Sequence, residues 1–320
     1  MKQKWQSKIK LKTRTISFIF IFLSLAFVNF LSPSNKKNLT KNVNRYPENF
    51  SINKFRFSTT NPIDCINHAN ENLLTGNPSN ALNDFHQTSN LLLIKPSFAL
   101  SYNNSKRCPN WVSWHLSSSW KGNAKRCNCF TPDKDLPYNF HKVSSTDYSK
   151  TGFDRGHLCP SEDRDLNQEL NAETFLMTNM IPQSPNLNRI TWVALENYCR
   201  KIMDKGNELY IISGGYGKGG IGSKGFAEQI GSGLINVPSH CWKIIIVLPD
   251  GDNDLKRITA NTRVIAVDIP NNPNVKSLPW YQYKTTIDDI EIKTGFDFLN
   301  KIPDFIERHL ESTIDQHAIN

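Results

Sequence analysis

Apolar residues along the chain fall into two periodicities that alternate irregularly. Leu91-Leu92-Leu93-Ile94 and Phe98-Ala99-Leu100-Ser101-Tyr102 are short, largely apolar runs that predict strands, with Lys95-Pro96 breaking the first from the second, and Trp111-Val112-Ser113-Trp114-His115-Leu116, rich in aromatic and β-branched residues, predicts another. Leu209–Ile212, Ile244–Leu248 and Val264–Val267 are almost wholly apolar, as strands buried on both faces are. Between these groups the period changes. Ser184-Pro185 places a capping hydroxyl before a first-turn proline. Trp192, Leu195, Cys199 and Ile202 then repeat at helical spacing, and Gly206 closes the helix. Thr286-Ile287-Asp288-Asp289 opens a further helix with a pattern like a capping box, and Asp304–Leu310 reads as a last short one. Strands and helices mixed without a regular βαβ alternation indicate an α+β fold.

The first 33 residues stand apart. A basic stretch ending at Arg14 precedes an apolar run from Ile16 to Val28, then Asn29-Phe30-Leu31. A charged segment followed by about 13 to 16 apolar residues has the shape of a secretory signal, and it is short for a spanning helix, which needs about 20 residues. No clean small-x-small cleavage site follows, so an uncleaved anchor, and with it contact with a membrane, stays open. The expected localisation is secreted or periplasmic. Residues 34–90 are rich in Asn, Ser and Pro and read as an extension or linker, though the stretch from Asn72 to Asp84 places the domain's beginning as early as Asn67. The domain proper is expected over 91–311, with 312–320 as a tail.

The formal charge of +9 is mostly the leader's. Lys2, Lys4, Lys8, Lys10, Lys12 and Arg14 supply six of those charges, and without them the remainder carries +3. Overall charge is therefore no argument for nucleic-acid binding; any useful positive potential must be local. Seven cysteines leave at least one free or paired between chains. Cys127-Asn128-Cys129 is too tight for a zinc clamp and has no second clamp to match, and Cys199 falls on the apolar side of its helix as a small hydrophobe. Gly215-Tyr216-Gly217-Lys218-Gly219-Gly220 formally matches G-x-G-x-x-G after a strand, but Gly222 and Gly225 interrupt any helix behind it, so a dinucleotide reading fails and a flexible loop is expected.

The chemistry gathers at Asp154-Arg155-Gly156-His157, followed by Asn179, Asn188 and Glu196. One imidazole, one guanidinium, two amides and two carboxylates within 43 positions suit attack of water on a phosphodiester beside a hard divalent ion. His takes a proton near neutral pH. Arg holds phosphate oxygens through its planar fork, and amide or carboxylate oxygens suit Mg²⁺, which keeps several waters. If both Asn188 and Glu196 are α-helical, they lie about 12 Å apart along the axis and about 80° apart in projection. That separation favours Asn188 as the direct metal ligand and Glu196 as a partner of a metal-bound water. Asp163-Arg164, just after the motif, reads as a structural pair.

"FDRGHLCPSEDR" together with "TFLMTNMIPQSPNLNRITWVALENYCRKI" resembles the DNA/RNA non-specific endonucleases, ββα-metal (His-Me finger) nucleases, and within them the secreted cyanobacterial sugar-non-specific enzymes most. The resemblance runs from about Leu91 to about Leu310. It implies a central antiparallel sheet flanked by helices, with His157 as general base, Asn188 on Mg²⁺ (Mn²⁺ as a possible substitute), and Asp154 with Glu196 in the water shell. It also implies that Arg126, 31 residues before His157, contacts the phosphate, and that Asn179 helps to orient the site. Cys127 and Cys129 depart from the polar residues usual there, and a disulfide between them would shift the loop. Arg155 is expected to stabilise the site or its charge, and Arg189 and Arg200 to reach the substrate. DNA and RNA are the expected substrates, since a scheme yielding 5′-phosphate and 3′-hydroxyl ends makes no use of the 2′-hydroxyl. A separate inhibitor protein is a plausible partner for such an enzyme. Two other classes compete: an exported nucleic-acid-binding or uptake protein with a degenerate site, and a disulfide-linked envelope protein.

Overall fold

A computed structural model describes residues 71–319, all within one unit, Phe57–Asn320. The leader, Cys65 and most of the linker lie outside the described residues. Among the described residues no helix is long and apolar enough to cross a membrane.

The strands are β1 (Leu91–Ile94), β2 (Ala99–Asn103), β3 (Cys108–Leu116), β4 (Asp154–His157), β5 (Met180–Gln183), β6 (Asn207–Tyr216), β7 (Gly220–Gly222), β8 (Gly225–Ala227), β9 (Gln229–Ile230), β10 (Ile235–Asn236), β11 (His240–Pro249), β12 (Arg263–Pro270) and β13 (Lys284–Thr285). Seven of them form one antiparallel sheet in the order β1-β2-β3-β6-β11-β12-β13. This is the α+β architecture with a central antiparallel sheet that the periodicity and the resemblance imply. Each long central strand outruns its apolar run by a few residues, because the flanking polar positions still find ladder partners: β6 and β11 pair from His240↔Tyr216 to Pro249↔Asn207. The glycine-rich segment is less a loop than expected. Gly215 and Tyr216 complete β6, and Gly220–Gly222 pairs with Gly225–Ala227 as a small hairpin.

Both faces of the sheet are covered, and the alternation of side chains shows how. Leu209, Ile211, Cys241, Ile245, Ile265 and Val267 point into one apolar cluster with Met180, Ile181, Leu187, Trp192, Leu195 and Cys199. Tyr210, Ile212, Trp242, Ile244, Ile246 and Val264 point into the other with Ile287, Ile290, Ile306 and Leu310 of the two C-terminal helices. Those helices are Ile287–Thr294 and Asp304–Glu311. The first is capped by the Thr286 side chain, which accepts from the Asp289 N–H at 3.0 Å, and ended by Gly295 in the left-handed conformation (φ +73°).

The chain on either side of residues 91–311 also packs. Asn72 is buried, its Oδ1 accepting from the His115 N–H at 3.0 Å, and Leu82 bridges Leu91. Beyond the last helix, Asp315 has a fully buried side chain that accepts both guanidinium branches of Arg263 at 2.9 Å and the Lys284 ammonium at 2.8 Å.

Candidate active site

The Asp-Arg-Gly-His run is a strand of its own, β4, paired antiparallel with β5 from Asp154↔Gln183 to His157↔Met180, and the chain then enters the helix carrying Asn188 and Glu196. Gly156 is required by the partner strand: a Cβ there would lie 2.2–2.6 Å from the fully buried Gln183 side chain. The junction between β5 and the helix is held from outside. Asn271 accepts from the Ser184 N–H at 2.7 Å and donates to the carbonyls of Pro182 and Pro238 at 2.9 and 2.8 Å. The Ser184 hydroxyl makes no bond among the described residues, so the expected hydroxyl cap is absent, and Ser184 is fixed through its backbone N–H instead.

The helix is not α throughout. It opens with an α-type bond from the Asn188 N–H to the Ser184 carbonyl at 2.9 Å, widens into a π-turn over Leu187–Trp192, and is α again over Val193–Met203. A π-turn inserts one extra residue per ring, so each step turns less than the 100° of an α-helix. The projected angle of about 80° between Asn188 and Glu196 therefore overstates their divergence, and the π-turn brings the two toward one face.

His157 is buried between aromatic rings, 4.9 Å centroid to centroid from Phe175 (edge-on) and 5.5 Å from Phe130. Its Nε2 has no hydrogen-bond partner among the described residues. Burial, reinforced by the Arg126 and Arg155 cations, pushes its pKa down to about 3, so the ring is neutral across the neutral range. A neutral imidazole with an unengaged nitrogen is what proton abstraction needs.

Arg126 is exposed and is steered from both sides: Nη1 donates to the Ser161 hydroxyl at 2.5 Å and Nε to Asn128 Oδ1 at 3.0 Å, while its guanidinium carbon lies 5.0 Å from the Phe175 centroid. Cys127 and Cys129 are joined by a disulfide, which closes the loop at this arginine. Cys108, Cys159, Cys199 and Cys241 are free and buried. Arg155 stacks on the Phe130 ring at 4.2 Å, which keeps its charge near His157.

Asn188 turns its amide nitrogen to Asp154 Oδ2 at 3.0 Å, which leaves the amide oxygen as its available donor. Asp154 is also gripped by Arg189, Nε to Oδ2 at 2.8 Å and Nη2 to Oδ1 at 2.7 Å. Arg189, expected at the substrate, is thus engaged with the motif's carboxylate. Glu196 is buried, and burial raises its pKa to about 7 against the opposing pull of Lys243 and Arg200. An amide oxygen and two carboxylates are the hard donors that a divalent ion of the Mg²⁺ type accepts, so the residues present fit one.

Asn179 is fully buried and spends its whole amide on backbone: Oδ1 accepts from the Cys159 N–H at 3.0 Å, and Nδ2 donates to the Cys159 and Thr174 carbonyls, both at 2.8 Å. It braces the chain leaving His157. Arg200, also expected at the substrate, is held by Asp163 and Glu162, both at 2.8 Å, with its side chain 12% exposed. Asp163 and Arg164 are structural but not a pair of side chains: Asp163 takes Arg200 and the Trp114 indole N–H, whereas Arg164 is buried on Trp120 and donates to the Ser97 carbonyl at 2.8 Å.

Lys243 is the residue sequence reasoning missed. It lies on β11, 1% exposed, its ammonium 3.8 Å from Glu196 Oε1 and over the Trp192 and Trp114 rings at 4.5 and 5.3 Å. A lysine interrupting the apolar residues of a central strand was the available signal, since so buried a cation needs a partner.

Comparison with known proteins identifies the family. The family model described as DNA/RNA non-specific endonuclease matches residues 77–305. The chain is 48% identical over 243 residues to a nuclease of Nostoc sp., covering 76% of this chain and 85% of that one. It is 30% identical over 223 residues to nuclease C1 of Cunninghamella echinulata var. echinulata, covering 67% and 85%. Against zebrafish mitochondrial nuclease EXOG the identity is 32% over 206 residues, 62% of this chain and 58% of that one. In three dimensions the fold is similar to that of a chain in a crystal structure of an EndoG/EndoGI complex, with a TM-score of 0.61 at 24% identity, covering 74% of this chain and 93% of the other. The strand pair, the helix behind it and the family match over most of the chain lead to one assignment: this protein belongs to the DNA/RNA non-specific endonuclease family.

Proposed function

We propose that the protein hydrolyses internal phosphodiester bonds of both DNA and RNA with a divalent cation, Mg²⁺ first and Mn²⁺ as a substitute, leaving 5′-phosphate and 3′-hydroxyl ends. The observation that carries this reading is His157: neutral, walled by Phe130 and Phe175, flanked by two arginines, with one ring nitrogen unengaged. When bound, the cation supplies positive charge at the phosphate and leaving oxygen. Asn188 would hold it through its amide oxygen, and Asp154 and Glu196 would hold its waters. His157 takes the proton of the attacking water at the unengaged Nε2. Arg126 offers its fork to the non-bridging oxygens, where charge grows in the five-coordinate state. Arg155 adds positive potential beside the ring, and Asn179 keeps the strand end from moving. None of these groups recognises a base or a 2′-hydroxyl, which is why one site serves both sugars.

Export follows from the leader, and a secreted or periplasmic location also suits the Cys127–Cys129 disulfide. A protein inhibitor is a reasonable partner, the structural neighbour having been crystallised in a complex described as one of EndoG inhibition. The full chain incubated with supercoiled plasmid and with total RNA should degrade both in Mg²⁺ and neither in EDTA. Intact nucleic acid after incubation with folded protein would instead support the binding-protein reading.

A further inference from the structure

A second group of carboxylates lies between the two C-terminal helices, on the sheet face opposite His157. Asp288 and Glu291 stand three positions apart on Ile287–Thr294 and so share a side of that helix. Glu311 ends Asp304–Glu311. One carboxylate oxygen from each of the three lies within 4.8 Å of the others.

Glu311 sets this cluster apart from an ordinary acidic surface. It is 6% exposed, and its Oε1 is buried with no hydrogen-bond partner among the described residues. Burial, and then the charges of Glu291, Glu307, Asp288 and Asp297, push its pKa up to about 8, so the strongest charges acting on it are all acidic. Lys293, the neighbouring lysine on the helix, is engaged with Asp268 at 2.7 Å. Glu291 uses one oxygen, Oε1, on the Phe298 N–H at 2.7 Å, which leaves its other oxygen for a ligand. A buried carboxylate oxygen facing carboxylates, without a donor, is costly unless something positive stands among them.

The donor set points to the kind of ion. Oxygens within 4.8 Å of one another fall inside the reach of bonds of about 2.3–2.6 Å, and several carboxylates from the protein are what Ca²⁺ takes, whereas Mg²⁺ usually keeps several of its waters and uses one or two carboxylates. We propose that Asp288, Glu291 and Glu311 bind a Ca²⁺-sized cation that ties the two C-terminal helices together, a site separate from the Asn188 centre. Waters complete its shell, and it serves stability rather than hydrolysis.

The test uses the full chain carrying Asn188→Ala, so that calcium at the nuclease centre does not contribute. Titration with CaCl₂ should show one site, and saturating Ca²⁺ should raise the melting temperature by about 5 °C. Adding Glu311→Gln should abolish both responses while raising the melting temperature in EDTA at pH 9, where the carboxyl is ionised and the substitution removes its repelling charge. Asp288→Asn, an outer and milder change, should weaken calcium binding about tenfold. In the otherwise wild-type chain, Glu311→Gln should leave Mg²⁺-dependent cleavage of plasmid at 25 °C unchanged. A calcium response that survives Glu311→Gln, or no response in the Asn188→Ala chain, overturns the site and leaves Glu311 as a protonated carboxyl bonded within its cluster.

Discussion

The two faces of the sheet treat a buried carboxyl differently. On the catalytic face Glu196 has its own cations: Lys243 at 3.8 Å from below, and Arg200 on the same helix. On the helix face the strongest charges acting on Glu311 are all acidic. The first arrangement sets two cations against burial, which still raises the carboxyl to about 7, and so keeps the group able to hold water in a fixed direction. The second leaves a deficit that a cation from solution can fill. Burial alone therefore does not say whether a carboxyl serves reaction or stability; the sign of its neighbours does.

The contrast predicts that changes at the groups around His157 and Glu196 cost rate, and that changes at buried charges away from them cost stability. The largest effect should come from His157→Ala, a fall in cleavage rate of about 10³-fold or more from protein that still melts cooperatively, measured by plasmid nicking and calorimetry. Lys243→Met keeps the volume and removes the charge beneath Glu196. It should lower activity about 10- to 100-fold and raise the Mg²⁺ needed for half-maximal rate, and a rate equal to wild type would show that Glu196 needs no counter-charge. Asp315→Asn should reduce stability by about 2 kcal/mol at pH 7 without altering the rate. The pairs with Arg263, Lys284 and His317 outweigh burial and hold the Asp315 carboxyl below its ordinary range, so this stabilisation is full above the unfolded-state value and disappears as pH falls through the lower folded-state value. Melting curves of the two proteins should thus converge in acid. Arg189→Ala should do least to stability, within about 1 kcal/mol, since that guanidinium is 68% exposed; a larger loss would mean that its grip on Asp154 shapes the whole strand pair.

Much of this was legible in the chain. The central strands announced themselves because burial on both faces leaves nearly unbroken apolar runs, and the helix behind the site did so through Trp192, Leu195, Cys199 and Ile202. The motif residues carried their spacing and their family. What stayed hidden depends on contacts between distant segments. Lys243 acquires meaning only when β11 passes beneath Glu196, and Asn271 only when it meets Ser184, 87 positions earlier. Arg189 and Arg200 advertised positive charge, but only the fold reveals that Asp154, Asp163 and Glu162 already hold it. The π-turn escaped because one added residue in a single ring does not disturb the apolar repeat that follows.

That turn makes the site a matter of counting as well as of chemistry. Loss of one residue between Leu187 and Trp192 would let the segment close into ordinary α geometry, and the seven remaining steps of about 100° would still set Asn188 within about 20° of Glu196 in projection; the same closure with no residue lost would set them about 80° apart. Two relatives could therefore agree at every motif letter and build one site on helices that differ by a residue, so an alignment across this segment should be judged first by its length.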